Sequence, residues 1–358
     1  MQTGRTCSSR QDRRGSANLR EAPQTLFPQG LQRFLNLNVE PMIYIMRETL
    51  AALADLTRAH FFFVWPLLFC SGLALAFENY GGFSWELVGR AVLIGLFGFE
   101  AGFVLNDYVD REYDRRDING ALTRYWRPFG ERPIPAGKLS PRAAFAAFLV
   151  LAGLAAALAA TLPSPHNLYV LGIMGYSYLV EYFYQMKKRD QTIPLAQVIG
   201  RTDFALFPVA GYLVAGSPDA TALLFFLFFY PWTLAHLGAN DIADIVNDRA
   251  RGMATIPSLT FGLTGSAPED PTPVLYGMKG AAIWVLGFSA AHAAMALVFG
   301  LILGPVTMAG FAGGIVLLGI ANYLILRGKS ADAAMRALPL MHASLLVYAA
   351  AIIAGAVL

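Results

Sequence analysis

The chain has little of what soluble redox or nucleic-acid chemistry uses. Its two cysteines, Cys7 and Cys70, stand in no metal-binding or disulfide spacing, and Cys70 lies inside an apolar run, so a thiol-based redox site is not indicated. His236, His292 and His342 are far apart in sequence and read as single core histidines. Only 14% of the 358 residues are charged, fewer than an ordinary soluble domain carries. The net charge of +3 implies no nucleic-acid partner, because the cations are accounted for by a basic tail and by loops on one side of a membrane. No secretory signal opens the chain: Arg5, Arg10, Arg13, Arg14 and Arg20 fall in a stretch without an apolar centre. Residues 1–45 read as a disordered Arg-rich tail, as an organelle leader, or as residues upstream of a start at Met42 or Met46. The folded domain is expected over 46–358, with no separate soluble domain and no implied protein partner.

What is abundant is apolar sequence. Hydrophobic residues make up 56% of the chain and its mean hydropathy is positive. They come in blocks close to the roughly 20 residues that cross a bilayer. Spans are expected near 60–78, 87–106, 141–162, 167–184, 193–216, 219–239, 279–302, 305–326 and 336–358, which makes an all-α, polytopic membrane protein of nine helices. A large soluble helical core fits poorly with those lengths and with the run "LLFFLFFYPW". The connections "ENYGGFSWE", "PSPHN", "GSPDA" and "GP" hold no Lys or Arg, whereas the alternate loops are rich in both. The positive-inside rule therefore puts the loops after the second, fourth, sixth and eighth spans on the cytoplasmic side of a cell or inner membrane.

Against this background one acidic pattern appears twice. "NDYVDREYD" and "NDIADIVND" both read Asn-Asp-x-x-Asp-x-x-x-Asp, with Asn106 and Asn240 placed 134 residues apart. Each closes an even-numbered span and opens a long inner loop, so both fall on the cytoplasmic side. Offsets of 0, 3 and 7 lie within about 60° on a helix. Asp107, Asp110 and Asp114 are thus expected on one face with Asn106 at its edge, and Asp241, Asp244 and Asp248 repeat this beside Asn240. Six carboxylates at a helix-bundle mouth repel unless protons or cations intervene. Hard oxygen donors without His or Cys point to Mg²⁺, which characteristically bridges a few carboxylates to substrate phosphate oxygens. Arg115 and Arg116 follow the first motif, Arg249 and Arg251 the second, and Lys187, Lys188 and Arg189 form a third inner cluster suited to the same anion. The alternative for any one of these cations is topology or contact with anionic lipid.

These residues carry a family resemblance. "NDYVDREYD", "RPIPAGKLS" and "NDIADIVNDRARGMATIP" resemble the UbiA superfamily of intramembrane prenyltransferases, over about residues 50–358. A Tyr-x-x-x-Lys element is similar to "YQMKK", which gives Tyr184 and Lys188. The resemblance implies Mg²⁺-dependent transfer of a polyprenyl group from an isoprenyl diphosphate to a small acceptor through an allylic cation. It implies an aromatic quinone precursor such as 4-hydroxybenzoate as acceptor, with geranylgeranylglyceryl phosphate or a chlorophyllide as alternatives. It implies that the nine helices surround a central cavity, assigns metal binding to Asn106, Asn240 and the six aspartates of the two rows with those aspartates catalytic, and assigns diphosphate binding to Arg115, Arg132, Lys138, Tyr184, Lys188, Arg249 and Arg251. One departure stands out: "RRDINGALTRYWRPFGE" separates the last Asp of the first motif from Arg132 and brings a second Arg-Pro pair at Arg127.

Further polar residues fall within or beside spans, where ionisable groups are costly and commonly functional. Glu100 lies seven residues before Asp107 and is either a buried neutral acid or an acceptor-side group. Asp203 and Arg58 are candidates for the acceptor cavity; Phe103, Tyr176 and Tyr178 could face a developing cation. A cation transporter would place its acids near the bilayer midplane rather than at helix ends. A CDP-alcohol phosphotransferase would carry an Asp-Gly-x-x-Asp-Gly-x-x-Ala-Arg motif, which is absent.

Overall fold

In a lipid environment a chain can satisfy its backbone within each segment only as a helix. The computed structural model describes the backbone of residues 29–259 and 277–358, with side chains from residue 42, and every regular element among them is helical. The helices are α1 (Gln29–Leu56), α2 (Val64–Tyr80), α3 (Trp85–Asp114), α4 (Ala121–Trp126), α5 (Pro141–Ala160), α6 (His166–Lys187) and α7 (Leu195–Gly200). They continue with α8 (Thr202–Tyr212), α9 (Ala220–Ala243), α10 (Ile245–Arg251), α11 (Ile256–Leu259), α12 (Met278–Leu303), α13 (Pro305–Gly328) and α14 (Ala331–Val357). The chain separates into two units, Met1–Arg47 and Glu48–Leu358, and the second holds all that follows. The tail expected over 1–45 lies largely outside the described residues; its last part, from Gln29, is helical.

Among the described residues, seven stretches are long and apolar enough to cross a membrane: 59–80, 85–114, 141–160, 220–243, 278–303, 305–328 and 331–357. The other two expected spans are helical but differ from the rest. Residues 167–184 fall in α6, whose tyrosines, Glu181 and Lys187 make it more polar. The stretch 193–216 divides at Arg201 (φ −89°, ψ 3°) into α7 and α8. The protein is an integral membrane protein, and among the described residues nine helical elements follow one another around a ring. The ring runs α2, α3, α5, α6, α8, α9, α12, α13 and α14, and contact between α14 and α2 closes it.

Small residues bring the ring together. A Cβ on Gly72 would lie 2.0 Å from the Pro208 carbonyl oxygen, and one on Gly211 would lie 1.9 Å from that of Phe69. Helices α2 and α8 therefore touch backbone to backbone, as close crossings between membrane helices require. Buried Trp65, Phe225, Phe228, Trp232, Phe311 and Tyr348 fill the core between α2, α9, α13 and α14. Ser84 caps the start of α3 by accepting from Leu87 N (3.3 Å), and Asp219 caps α9 by accepting from Ala222 N (2.9 Å). Each acidic row is at the opposite, C-terminal end of its helix.

Candidate active site

Asn106, Asp110 and Asp114 are spaced four residues apart, so one helical face carries all three, and they border a cavity of about 240 Å³. Asn240, Asp241, Asp244 and Asp248 border the same cavity from the other side. The second row is not a continuous helix: Asp244 ends α9 with φ −98° and ψ 7°, and α10 carries Asp248 onward. Asp107 does not line the cavity. Its Oδ2 accepts from Arg127 Nη2 (2.6 Å) and its Oδ1 from Arg58 Nη2 (3.3 Å), so the face is centred on Asn106 and Asp110 rather than on Asp107.

The first row is matched by cations drawn from several elements. Asp110 accepts from Lys188 Nζ (2.6 Å) and Arg189 Nη2 (3.2 Å). Asp114 accepts from Arg132 Nη1 (2.6 Å), and its Oδ1 lies 3.4 Å from Arg251 Nη2 but receives no hydrogen bond. In the second row Asp241 accepts from the Ile256 backbone N–H (3.0 Å) and forms no ion pair among the described residues. Asp244 and Asp248 both face Arg251, at 3.2 and 3.7 Å. Burial raises the pKa of Asp244 although Arg251 opposes the shift. Burial also pushes Asp248 well above the usual carboxylate range, and its neighbours Asp244 and Asp241 push the same way.

The insert ahead of Arg132 ties the two rows together. Its Asp117 accepts from Arg251 Nε (2.6 Å) and pairs with Arg132 Nε (2.9 Å). Ile118 N and Asn119 N both donate to Asn247 Oδ1, at 3.0 and 2.9 Å. The insert then forms α4, which puts Thr123, Trp126 and Arg127 on the cavity wall. Both Arg-Pro pairs are engaged: Arg127 with Asp107, and Arg132 with Asp114 and Asp117.

Of the cations expected at a diphosphate, Arg132, Lys188 and Arg251 border the cavity, as does Tyr184. Arg115, Lys138 and Arg249 do not. Arg115 pairs with Glu112 at the surface (2.7 Å), Lys138 pairs with Glu131 (2.6 Å) and Glu48 (3.3 Å), and Arg249 is exposed. Arg58, Phe103 and Asp203 line the inner cavity, with the Arg58 guanidinium 3.7 Å from the centre of the Phe103 ring. Glu100 is 1% exposed, off the cavity wall, and neither carboxyl oxygen has a hydrogen-bond partner. Tyr178 borders the cavity, whereas Tyr176 is exposed and bonds Thr202.

Sequence reasoning missed other wall residues. Glu181 accepts from Asn106 Nδ2 (2.9 Å), and Arg201 stands 4.9 Å from the Tyr184 ring with no ion pair among the described residues. His236 and His342, read as isolated, meet at 2.9 Å on the cavity wall. His292 remains a core histidine, its Nδ1 2.7 Å from the Phe228 carbonyl oxygen. Glu181 lies in α6 and Lys188 caps its end seven residues later, so the Tyr-x-x-x-Lys spacing pointed to that helix face. Nothing in the spacing of the histidines predicts their pairing. The arrangement can hold a polyanion at the acid-and-cation mouth and shelter an apolar chain among Trp65, Phe99, Phe103, Phe204 and Phe207 within.

Residues 63–346 match the model of the UbiA prenyltransferase family. The chain is 34% identical over 208 residues to digeranylgeranylglyceryl phosphate synthase of Halobacterium salinarum, covering 54% of this chain and 67% of that one. It is 31% identical over 200 residues to 4-hydroxybenzoate octaprenyltransferase of Aeromonas hydrophila, covering 56% and 63%. A UbiA homolog from Aeropyrum pernix shares the fold with a TM-score of 0.63, 21% identity and coverage of 81% and 96%. A UbiA homolog from Archaeoglobus fulgidus bound to DMAPP and Mg²⁺ gives a TM-score of 0.56, 18% identity and coverage of 84% and 99%.

Proposed function

The chain belongs to the UbiA prenyltransferase family and is a prenyltransferase, and from that premise we propose the reaction that its cavity performs. It transfers a polyprenyl group from an isoprenyl diphosphate to a small acceptor bearing a hydroxyl group, with Mg²⁺ at the acidic mouth and the site open to the cytoplasmic side. The observation that carries this reading is one cavity with two acidic rows at its entrance and an aromatic interior.

The donor set suits Mg²⁺ in its chemistry. Asp110, Asp114, Asp241, Asp244 and Asp248 offer only hard oxygens, and Asp114 Oδ1 is buried without a hydrogen-bond donor. Among the described residues no three acids or histidines stand close enough to grip a metal as they are, because guanidinium and ammonium groups hold several of the carboxylates. Metal and diphosphate are therefore expected to bind together, with Lys188, Arg132 and Arg251 moving their hydrogen bonds from carboxylates to diphosphate oxygens. Asn240 accepts from Trp126 Nε1 (3.3 Å) on its amide oxygen, whose second lone pair leaves it able to join the ligand set, as Asn106 is. When bound, Mg²⁺ neutralises charge on the departing diphosphate.

The protein's own residues do the rest. Tyr184 and Lys188 on one helical turn fix the diphosphate end of the donor. Phe99, Phe103 and Trp65, with rings 3.8–5.2 Å apart, offer π faces toward the allylic carbon as its bond to oxygen breaks. Trp126 and Arg127 cover the cavity from the insert and keep water from the cation. Arg58 and Arg201 on the inner wall suit an acceptor that carries an anionic group.

Such an acceptor is an aromatic acid like 4-hydroxybenzoate. The identity to the Halobacterium synthase favours a second reading, geranylgeranylglyceryl phosphate, which also joins a hydroxyl to an anion. Membranes containing the protein, given Mg²⁺, labelled geranylgeranyl diphosphate and both acceptors separately, are expected to label one of them. Absence of transfer to any acceptor across several prenyl chain lengths would sink the reading.

A further inference from the structure

Arg58, Arg127, Arg132, Lys188 and Arg251 on the cavity wall each pair with a carboxylate, whereas Arg201 on the same wall pairs with none among the described residues. Its Nε is sealed from water, and none of its side-chain nitrogens donates a hydrogen bond among the described residues. A charge kept inside a membrane bundle without a partner is costly and marks a ligand site. The residue is nonetheless held in place. Its carbonyl oxygen accepts from Thr233 Oγ1 on α9 (3.2 Å), and its guanidinium lies 4.9 Å from the centre of the Tyr184 ring on α6.

Asp203 stands next to it on this wall. Two residues apart on a continuous helix, Arg201 and Asp203 would face about 160° away from each other. The break between α7 and α8 falls on Arg201, with φ −89° and ψ 3°, and both residues border the cavity. Asp203 accepts from the Phe204 backbone N–H on Oδ1 and forms no ion pair among the described residues, so its carboxylate has lone pairs to offer. Thr233 precedes Asn240 by seven residues, which puts the Arg201 backbone about 10 Å along α9 from the acidic mouth. The guanidinium reaches back toward Tyr184, one helical turn before Lys188. The pair thus borders the cavity just inside its diphosphate end, where the allylic carbon of a bound donor comes to lie.

We infer that Arg201 and Asp203 form the acceptor subsite and select a monoanionic hydroxy acid, Arg201 binding its carboxylate and Asp203 receiving the hydrogen bond of its hydroxyl group. The inference rests on the transfer reaction proposed above and names the acceptor class that this cavity takes. Arg58 is the lesser acceptor contact of the two arginines, because Asp107 already holds it at 3.3 Å. The charges on the wall decide between the two anions. Glu181, also on this wall, accepts from Asn106 Nδ2 (2.9 Å) and from Gln185. Two carboxylates beside one unpaired guanidinium leave place for a single added negative charge. A carboxylate brings one, and it matches the guanidinium fork with two parallel hydrogen bonds. A phosphate monoester brings a charge of about −1.5 to −2 at neutral pH, and the excess would meet Asp203 and Glu181. A hydroxyl group on the acid suits Asp203, since an ionised carboxylate can only accept. Held at both ends, the acceptor presents one fixed edge to the allylic carbon.

The test is equilibrium binding to the protein in nanodiscs with Mg²⁺ and a slowly reacting thiolodiphosphate analogue of the prenyl donor. The probes are 4-hydroxybenzoate, benzoate and glycerol 1-phosphate. Wild type should bind 4-hydroxybenzoate about 10-fold more tightly than benzoate, the worth of one hydrogen bond to a charged group. Glycerol 1-phosphate should bind more weakly than 4-hydroxybenzoate. Arg201→Gln should weaken both acids by about 30-fold, as loss of a buried charge partner does. Arg201→Lys, a gentler change that keeps the charge and loses the fork, should weaken both by about fivefold. Asp203→Ala should erase the preference for the hydroxyl group and leave benzoate bound. Affinity for the donor analogue should stay within about threefold in every variant, which a general loosening of the fold would not allow. The inference is overturned if wild type binds neither acid, or binds glycerol 1-phosphate more tightly than 4-hydroxybenzoate. It is also overturned if Asp203→Ala keeps the hydroxyl preference, or if both Arg201 variants bind the acids as wild type does or lose the donor analogue in parallel. Failure of transfer to every acceptor with this binding pattern intact would sink the reaction proposed above and leave the subsite standing.

Discussion

The two acidic rows read alike in sequence and stand in unlike surroundings. In the first, Asp107, Asp110 and Asp114 meet Arg58, Arg127, Lys188, Arg189 and Arg132, contributed by the segment that follows α6, by the segment before α2 and by the inner loop. In the second, Asp244 and Asp248 share the single guanidinium of Arg251, which also serves Asp114 and Asp117. The first row is therefore outnumbered by its cations, and the second carries an excess of acid in a buried place. A repeated motif fixes the kind of donor atom, and the neighbours decide how much charge each copy has to offer. In the reaction proposed above, the second row is the half that would need a divalent cation most, and the first, with its ready cations, the half that would receive the anion.

The largest test of this division removes one carboxylate from each row. Asp244→Ala and Asp110→Ala should each lower transfer by about 10³-fold or more, since metal-borne stabilisation of the leaving group is worth several kcal/mol. Retained activity in either variant, measured by labelled product in folded protein, would refute a site divided between the rows. Asp107→Asn should act differently, because Asp107 faces two buried guanidiniums and not the cavity. Its cost is expected in stability, about 3 kcal/mol for leaving a buried partner charge uncompensated, read by denaturation in detergent. Among the cations, Lys188→Ala should raise KM for the prenyl diphosphate by about 10-fold or more. Arg115→Ala, Lys138→Ala and Arg249→Ala should each stay within about threefold, as surface groups do. A larger effect from any of these three would bring the outer charges into the site.

The helices and the placement of the acids were legible from the sequence because apolar length and a four-residue spacing are local properties. Where the reading fell short, the determining contact was long-range. Asp107 looked equal to Asp110 on a helical wheel, but it is engaged off the cavity by Arg127 of the insert and by Arg58 ahead of α2. Arg115 and Arg249 follow the motifs directly in sequence, yet a helix turns such neighbours outward, whereas Arg132 and Lys188 return from separate segments. The span expected over 193–216 divides at a residue whose charge and backbone suit the cavity rather than a lipid-facing helix. The histidine pair had no local signal, since it forms where α9 and α14 pack against each other from positions 106 residues apart.

The smallest expected effect concerns protons in the second row. Burial holds Asp244 above its ordinary pKa and Asp248 well above it. The folded state therefore keeps these protons after unfolded carboxylates, with pKa values near ~4, have lost theirs. With more protons bound to the folded than to the unfolded form, stability falls as pH rises from ~4 through the raised values, by about 1.4 kcal/mol per pH unit for each group while it titrates. A divalent cation reverses the demand, because it favours both carboxylates in their charged form. The melting temperature of the metal-free protein should decline as pH rises across this window, and the increase produced by Mg²⁺ should grow over the same range. Asp248→Asn should flatten both trends. In Arg115→Ala both should persist unchanged, because Arg115 is exposed and paired with Glu112 outside the cavity. A Mg²⁺ effect independent of pH would mean that the second row is already charged, and the contrast between the rows would then lie in geometry alone.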